Sequence, residues 1–132
     1  VFHFIREELG HDMLLQLYAD MILLLGRHKK TNMAEELFSE ALEKGLKPNT
    51  RICSEMIAAY LQVGITDKAM QIYASMKEEW PSSCSPDKFT FTILIPNLEK
   101  TGQHELAQTL KQDCLHYVDS PGKFLQQLQQ KQ

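Results

Sequence analysis

The sequence predicts an all-α fold, a right-handed solenoid of antiparallel helix pairs, on three observations. One apolar pattern recurs three times along the chain, a second pattern follows each copy, and Gly and Pro punctuate the gaps. The first pattern sets Tyr18, Met21, Ile22 and Leu25 beside Cys53, Met56, Ile57 and Tyr60, every offset being 35. Phe91, Leu94, Ile95 and Leu98 follow at an offset of 38. The i, i+3, i+4, i+7 spacing within each set puts its apolar groups on one helical face. The second pattern aligns Ala34, Leu37, Phe38 and Ala41 with Ala69, Ile72, Tyr73 and Met76, then with Ala107, Leu110, Lys111 and Cys114. The same small Ala in each copy suggests close approach of the two helices, with apolar registers buried between neighbouring units.

The punctuation delimits the elements in order. Gly64 and Gly102 fall between the two helices of their units, where a left-handed C-terminal position suits Gly. Gly45 and Pro48 close the first unit, since Gly ends a helix and Pro cannot continue it. Asn49 and Asp87 stand just ahead of the next first helix, beside candidate caps at Thr50 and Thr90. Pro96, inside the third first helix, removes a hydrogen bond to the Thr92 carbonyl and should kink that helix.

One helical-repeat domain over residues 1–132 is therefore expected, with units at 15–49, 50–87 and 88–122. Residues 1–14 read as the tail of an earlier unit, with "EELGHD" as its closing helix and turn. Residues 123–132, with Phe124, Leu125 and Leu128 among many Gln, read as a polar capping helix, which the end of a solenoid requires.

The 132 residues are 43% hydrophobic and 23% charged, ordinary globular material for one modest core. A net charge of −3 excludes a bulk positive field drawing the protein to nucleic acid or anionic membrane, so any such binding must come from local patterning. The longest apolar run, "MILLL", is far below the roughly 18 to 20 residues that span a bilayer, and a soluble protein without membrane contact is expected. The chain starts at Val1 with no basic, apolar or Arg/Ser-rich leader, and reads as a processed form whose address label is gone. Cys53, Cys84 and Cys114 are an odd, sparse set without a C-x-x-C pair, which favours reduced thiols in an intracellular compartment. The five His share no ligand spacing with one another or with the Cys, so no metal is expected. No Gly-rich phosphate loop, nucleophile elbow or paired-carboxylate motif is present, so neither catalysis nor a cofactor is expected.

A 35-residue unit with Gly between its helices, an Ala early in the second and a closing "GLKPN" or "SPD" resembles the pentatricopeptide repeat family. The resemblance covers residues 15–122 and is similar to the short plant-type organellar members, the small thylakoid-assembly proteins among them. The tetratricopeptide repeat, a 34-residue helical hairpin that binds proteins, shares part of the second helix. Its Gly midway along the first helix is replaced here by the bulky Ile22, Ile57 and Ile95.

The family resemblance implies binding of single-stranded RNA, one base per repeat. It implies base-reading pairs made of a residue near the start of the first helix and the last residue of the unit. Carried over, these are Ala19 with Asn49, Ser54 with Asp87, and Thr92 with Gly122. A short hydroxyl can donate to or accept from a base edge, and Asn or Asp adds a directional contact. Only Ser54 with Asp87 is a complete pair, of the family's purine-reading kind. Ala19 offers no polar group, Gly122 no side chain, and a three-residue insertion precedes Asp87. Weak base selectivity follows.

First helices carry a net positive charge and second helices a net negative one, which makes a basic groove expected inside an acidic protein. Arg27 and Lys100 end their first helices at equivalent places, where phosphates are natural partners, and Gln62 takes that place in the middle unit. Arg51 and Phe89, each three residues before a reader, are positioned to stack on a base. Trp80, in the insertion, is expected to pack on Pro81. The resemblance thus implies an RNA-binding adaptor in organellar RNA processing or intron splicing, in chloroplast or mitochondrion, that self-associates on RNA or recruits a partner protein. The alternative is a tetratricopeptide-like scaffold that binds proteins and no RNA.

Overall fold

The computed structural model describes the backbone of residues 2–130 and the side chains of residues 10–130. Among the described residues it consists of seven helices and no strand: α1 (Phe2–Arg27), α2 (Thr31–Glu43), α3 (Thr50–Gln62), α4 (Thr66–Glu78), α5 (Lys88–Lys100), α6 (His104–Tyr117) and α7 (Pro121–Gln130). They form two compact units, residues 1–84 with α1 to α4 and residues 85–132 with α5 to α7. No helix among the described residues is long and apolar enough to cross a membrane.

Each first helix turns into its second by the same device. The N–H groups of Lys30, Ile65 and Gln103 donate to the carbonyls of Leu25, Tyr60 and Leu98 at 2.8, 2.9 and 2.8 Å. The residue just before each of these donors is left-handed: Lys29 at φ 59°, Gly64 at 76° and Gly102 at 81°. This is a Schellman closure, in which one left-handed residue satisfies carbonyls that the helix end would otherwise leave unpaired. The two glycines do what their spacing predicts. In the first hairpin the place belongs to Lys29, which adopts the conformation at a steric cost because its Cβ crowds the backbone.

In the first unit α1 packs on α2 and α3, and α3 on α2 and α4. The tightest approach joins Gly26 to Ala59: a Cβ on Gly26 would stand 3.1 Å from the Ala59 Cβ and 3.2 Å from its Cα. Ile22, Ile52, Cys53, Met56 and Ile57 are fully buried, each large apolar group being worth about 1.5 to 3 kcal/mol out of water. On the second helices Ala34, Phe38, Ala41, Ala69, Tyr73 and Met76 are buried, as the repeated pattern predicts. Two tyrosines anchor carboxylates of α2. Tyr18 donates to Glu40 at 2.6 Å, and Tyr60 donates to Glu35 at 3.0 Å while Lys68 closes on the same carboxylate at 3.1 Å. Burial, and then the Glu35 partner, push the Tyr60 hydroxyl above its ordinary pKa.

The second unit repeats the hairpin and adds α7. Phe91, Leu94, Ile95 and Leu98 of α5 are buried, as are Ala107, Leu110 and Cys114 of α6, and α7 contributes the buried Leu128. Helices α5 and α6 both contact α7.

Three local expectations are corrected. The turn expected within "EELGHD" is absent, because α1 runs unbroken through residues 7–12. Gly10 inside a helix costs only about 1 kcal/mol relative to Ala, and no Pro enforces a stop. Met21 is 48% exposed although its equivalent Met56 is buried. The row Ile52, Met56, Ala59 lies on the face of α3 that meets α1, and no helix covers the equivalent face of α1 among the described residues. The caps of α3 and α5 are Asn49 and Asp87 themselves, not Thr50 and Thr90, which lie inside the helices. Trp80 packs edge-on to Phe38, ring centroids 6.4 Å apart, a contact that sequence spacing does not signal. Helix α5 continues through Pro96 to Lys100.

Two stability outcomes follow from this packing. Ile57→Asp, which places an unpaired charge at a fully buried site, should lose about 4 kcal/mol in chemical denaturation. Lys29→Gly should gain about 0.5 to 1 kcal/mol by relieving the left-handed strain. An unchanged midpoint for Ile57→Asp would displace the register, and a destabilised Lys29→Gly would remove the strain.

Candidate nucleic-acid interface

The face of α1 and α3 in the first unit is set by two equivalent acidic positions. Asp20 and Glu55, 35 residues apart, each follow the residue expected to read a base, Ala19 or Ser54. Between them stands Arg51, whose guanidinium Nη2 donates to Asp20 Oδ1 at 2.5 Å and lies 3.8 Å from Glu55 Oε2. Arg51 is the second residue of α3, one turn before Glu55, so an i,i+4 pair brings Glu55 into reach. Beside this ion pair is a hollow of about 270 Å³ lined by Asp12, Met13, Leu15, Gln16, Ala19, Asn49 and Arg51.

Three of the expected site residues therefore come together around one opening: the pair Ala19 and Asn49, and the stacking candidate Arg51. Ala19 is only 1% exposed and lends the hollow an apolar wall. Asn49, half-buried, holds the start of α3 by accepting the Ile52 N–H on Oδ1 at 2.9 Å, a bond that uses the carbonyl side of its amide. Ser54 is 0% exposed, inside the first unit, and its hydroxyl does not open on the surface.

The remaining base-reading and stacking candidates lie in the second unit. Asp87 is exposed and caps α5: its Oδ1 accepts the Thr90 N–H and the Thr90 hydroxyl, both at 3.0 Å, while the Asp87 N–H donates back to Thr90 Oγ1 at 3.2 Å. Thr92 is exposed, one turn along, and its hydroxyl donates to the Lys88 carbonyl at 2.7 Å. Phe89 is 47% exposed on the first turn of α5, as a stacking ring requires. Gly122 lies within the first turn of α7, because Ser120, at φ 50°, makes the turn earlier than the repeat pattern places it.

Arg27 and Lys100 are exposed final residues of α1 and α5, and Gln62 ends α3, as their spacing predicts. Arg27, Lys29 and Lys30 all stand exposed around the α1–α2 turn. Arg51, by contrast, is held by Glu55 of its own helix and by Asp20 of α1, the second of which a count of charges per helix does not pair with it. The Asp20 contact spans 31 residues, and the only sequence signal for it is its equivalence to Glu55 at the repeat offset. Among the described residues no three His, Cys, Asp or Glu gather as metal ligands would.

Glu55 is the strained member of this face. It is 4% exposed, and its Oε1 is buried with no hydrogen-bond partner. Burial pushes its carboxyl above the ordinary pKa, against the lowering charges of Arg51 and Arg27 and with a small further push from Asp20. The folded chain therefore holds this proton to higher pH than the unfolded chain does. Stability falls as pH rises from the ordinary carboxylate value through the raised one, and above both the full cost of the buried charge is present. Glu55→Gln should melt higher than the parent at pH 7, the difference closing below about pH 4, where the carboxyl is neutral in both states. A lower melting point for Glu55→Gln at pH 7 would reverse the assignment.

Comparison with known proteins bears on what such a face does. A model of the PPR repeat family matches residues 49–100, and a PPR repeat model matches residues 17–46. Two chloroplastic pentatricopeptide repeat-containing proteins of Arabidopsis thaliana are each 30% identical, over 97% and 86% of this chain and 26% and 22% of their own lengths. One from Zea mays, also named chloroplastic, is 28% identical over 80% of the chain and 21% of its length. The chain spans 12% to 26% of the length of the curated relatives it matches. A further Arabidopsis relative is named mitochondrial, and an organellar location for this chain accords with all four names. Helical solenoids and binding of single-stranded RNA are general to the family. With its all-α hairpins, its Gly-closed turns and both repeat matches, the chain belongs to the PPR repeat family.

Proposed function

We propose that this chain binds single-stranded RNA along its first helices, without catalysis, as an adaptor in organellar RNA processing or intron splicing. The observation that carries the reading is the hollow where Ala19, Asn49 and Arg51 meet. A base entering it finds an apolar wall at Ala19, the amide of Asn49 and the edge of a guanidinium, a combination that accepts any base and ranks them weakly. Exposed Phe89 and Thr92 supply a stacking ring and a hydroxyl on α5, and Arg27 and Lys100 supply phosphate contacts.

The repeats proposed are residues 15–49, 50–87 and 88–122, within one helical-repeat domain over residues 1–132 that also includes residues 1–14 as the end of a preceding repeat and residues 123–132 as the capping helix. Ser54 and Asp87 remain the proposed pair of the middle repeat. With the Ser54 hydroxyl buried and an Asp87 oxygen engaged in its cap, the purine preference of that pair is small. Base contacts of ~1 to 3 kcal/mol each, less the ordering of the strand, put a lone chain in about the micromolar range at best. Self-association on RNA or a partner protein then supplies the remaining affinity, since linked sites raise avidity without new contacts.

The test is binding to short purine-rich and pyrimidine-rich single strands of RNA at two salt concentrations. Arg27→Ala with Lys100→Ala should weaken binding to both strands alike and reduce the salt slope by about 0.7 for each lost phosphate contact. An unchanged slope would move the RNA to another surface. Absence of RNA binding by the folded chain would return the tetratricopeptide-like, protein-binding reading.

A further inference from the structure

Two thiols that the RNA-binding face leaves unused meet inside the first unit. Cys53, on α3, and Cys84, in the segment after α4, are both fully buried with their Sγ atoms 3.6 Å apart. The Cys53 thiol donates to Cys84 Sγ, and the Cys84 thiol donates to the Pro48 carbonyl at 3.0 Å. Cys84 lies outside any helix, in the stretch that carries the three-residue insertion. Trp80 seats that stretch against Phe38, and the Cys84 N–H donates to the Trp80 carbonyl at 2.8 Å. With no third ligand among the described residues, two thiols do not hold a metal as a tetrahedral site does. A disulfide needs only that the sulfurs close to about 2.05 Å, an approach of roughly 1.5 Å that side-chain rotation on a non-helical segment can supply.

We propose that Cys53 and Cys84 form a modification site, a dithiol that a peroxide oxidises to an intramolecular disulfide. The Cys84 thiolate attacks one peroxide oxygen, the O–O bond breaks, and Cys84 becomes a sulfenic acid as one water leaves. The Cys53 sulfur then attacks the Cys84 sulfur, the S–O bond breaks, the S–S bond forms, and the Cys53 proton departs with the second water. Two thiols thereby lose two electrons to hydrogen peroxide, which is reduced to two waters. The order of the steps follows from the environment. The hydrogen bond from Cys53 holds the Cys84 thiol below its ordinary pKa, against the cost of burial and with help from Ser83 and Lys47, while the same bond and burial push Cys53 up. Because both sulfurs are buried, the oxidant enters when the segment around Cys84 opens locally. The bond then closes a loop containing most of α3 and all of α4, ties the insertion to the residue beside Ser54, and restricts the unfolded chain.

The experiment treats the folded full chain with hydrogen peroxide, unfolds it in an alkylating reagent and maps the digest by mass spectrometry. The expected result is a loss of two hydrogens and one linked peptide pair containing Cys53 and Cys84. Cys114 should be alkylated, and the melting midpoint should rise several degrees and return with dithiothreitol. A second arm treats Cys53→Ala, in which Cys84 should stop at a sulfenic acid that dimedone traps, with no rise in melting midpoint. Sulfinic or sulfonic Cys84 in the parent without a linked peptide would overturn the proposal. So would a link through Cys114, a link between chains, or a rise in melting midpoint in Cys53→Ala.

Discussion

The close approach of α1 to α3 through Gly26 and Ala59 governs the first unit. Because neither residue projects beyond a methyl group, the two first helices meet backbone to backbone at this end, and Ile22, Ile52, Met56 and Ile57 fill the rest of the seam. Any larger residue at Gly26 would press on the Ala59 backbone rather than on a movable side-chain tip. That closeness carries Asp20 of α1 into the reach of Arg51 of α3, and it brings the wall at Ala19 to the cap at Asn49. The hollow on this face is thus a by-product of the helix spacing rather than of any residue placed to make it.

The same spacing sets the electrostatic character of the face. Arg51 sits between two carboxylates of successive first helices, one exposed and one buried, so its charge is shared before any ligand arrives. A strand of RNA approaching Arg51 must compete with Asp20, whereas the cations around the α1–α2 turn stand in solvent. Under the proposed RNA binding, phosphate attraction near Arg27 and base contact near Asn49 would be separated along the first unit. Glu55 has an unpartnered oxygen in a dry place, a cost of the kind that folded chains carry where a surface does more than pack.

Much of the fold was legible because repetition makes local signals redundant. The recurring apolar pattern, at offsets of 35 and then 38, located the first and second helices of the three units, and Gly64 and Gly102 at positive φ fell where a C-terminal closure needs them. What escaped were features without a periodic or nearest-neighbour signature. Lys29 stands where the offset asks for Gly, and only the backbone shows that the turn forms regardless. Gly10 had the look of a stop and lacks the Pro that enforces one. The Asp20–Arg51 and Cys53–Cys84 contacts each join residues 31 apart, and such tertiary meetings depend on how hairpins lean on one another rather than on any local pattern. At the candidate site, sequence reasoning selected Ala19, Asn49 and Arg51, which converge, and also Ser54. The burial of Ser54 follows from its place beside Cys53 and Glu55 in a helix packed on both sides.

The last residue of a unit has one role in the fold and a second one in the proposal. Asn49 and Asp87 start the following helix by capping it, and under the proposed RNA binding they would also be the second member of a reading pair. Capping favours Asn, Asp, Ser and Thr and penalises most other side chains by about 1 kcal/mol. The vocabulary open to evolution or to a designer at these two positions is therefore short, and every letter in it is small, polar and able to accept a backbone N–H. If such a position reads a base, changing what it recognises also changes how firmly the next repeat begins. Specificity and local folding would then be inherited together.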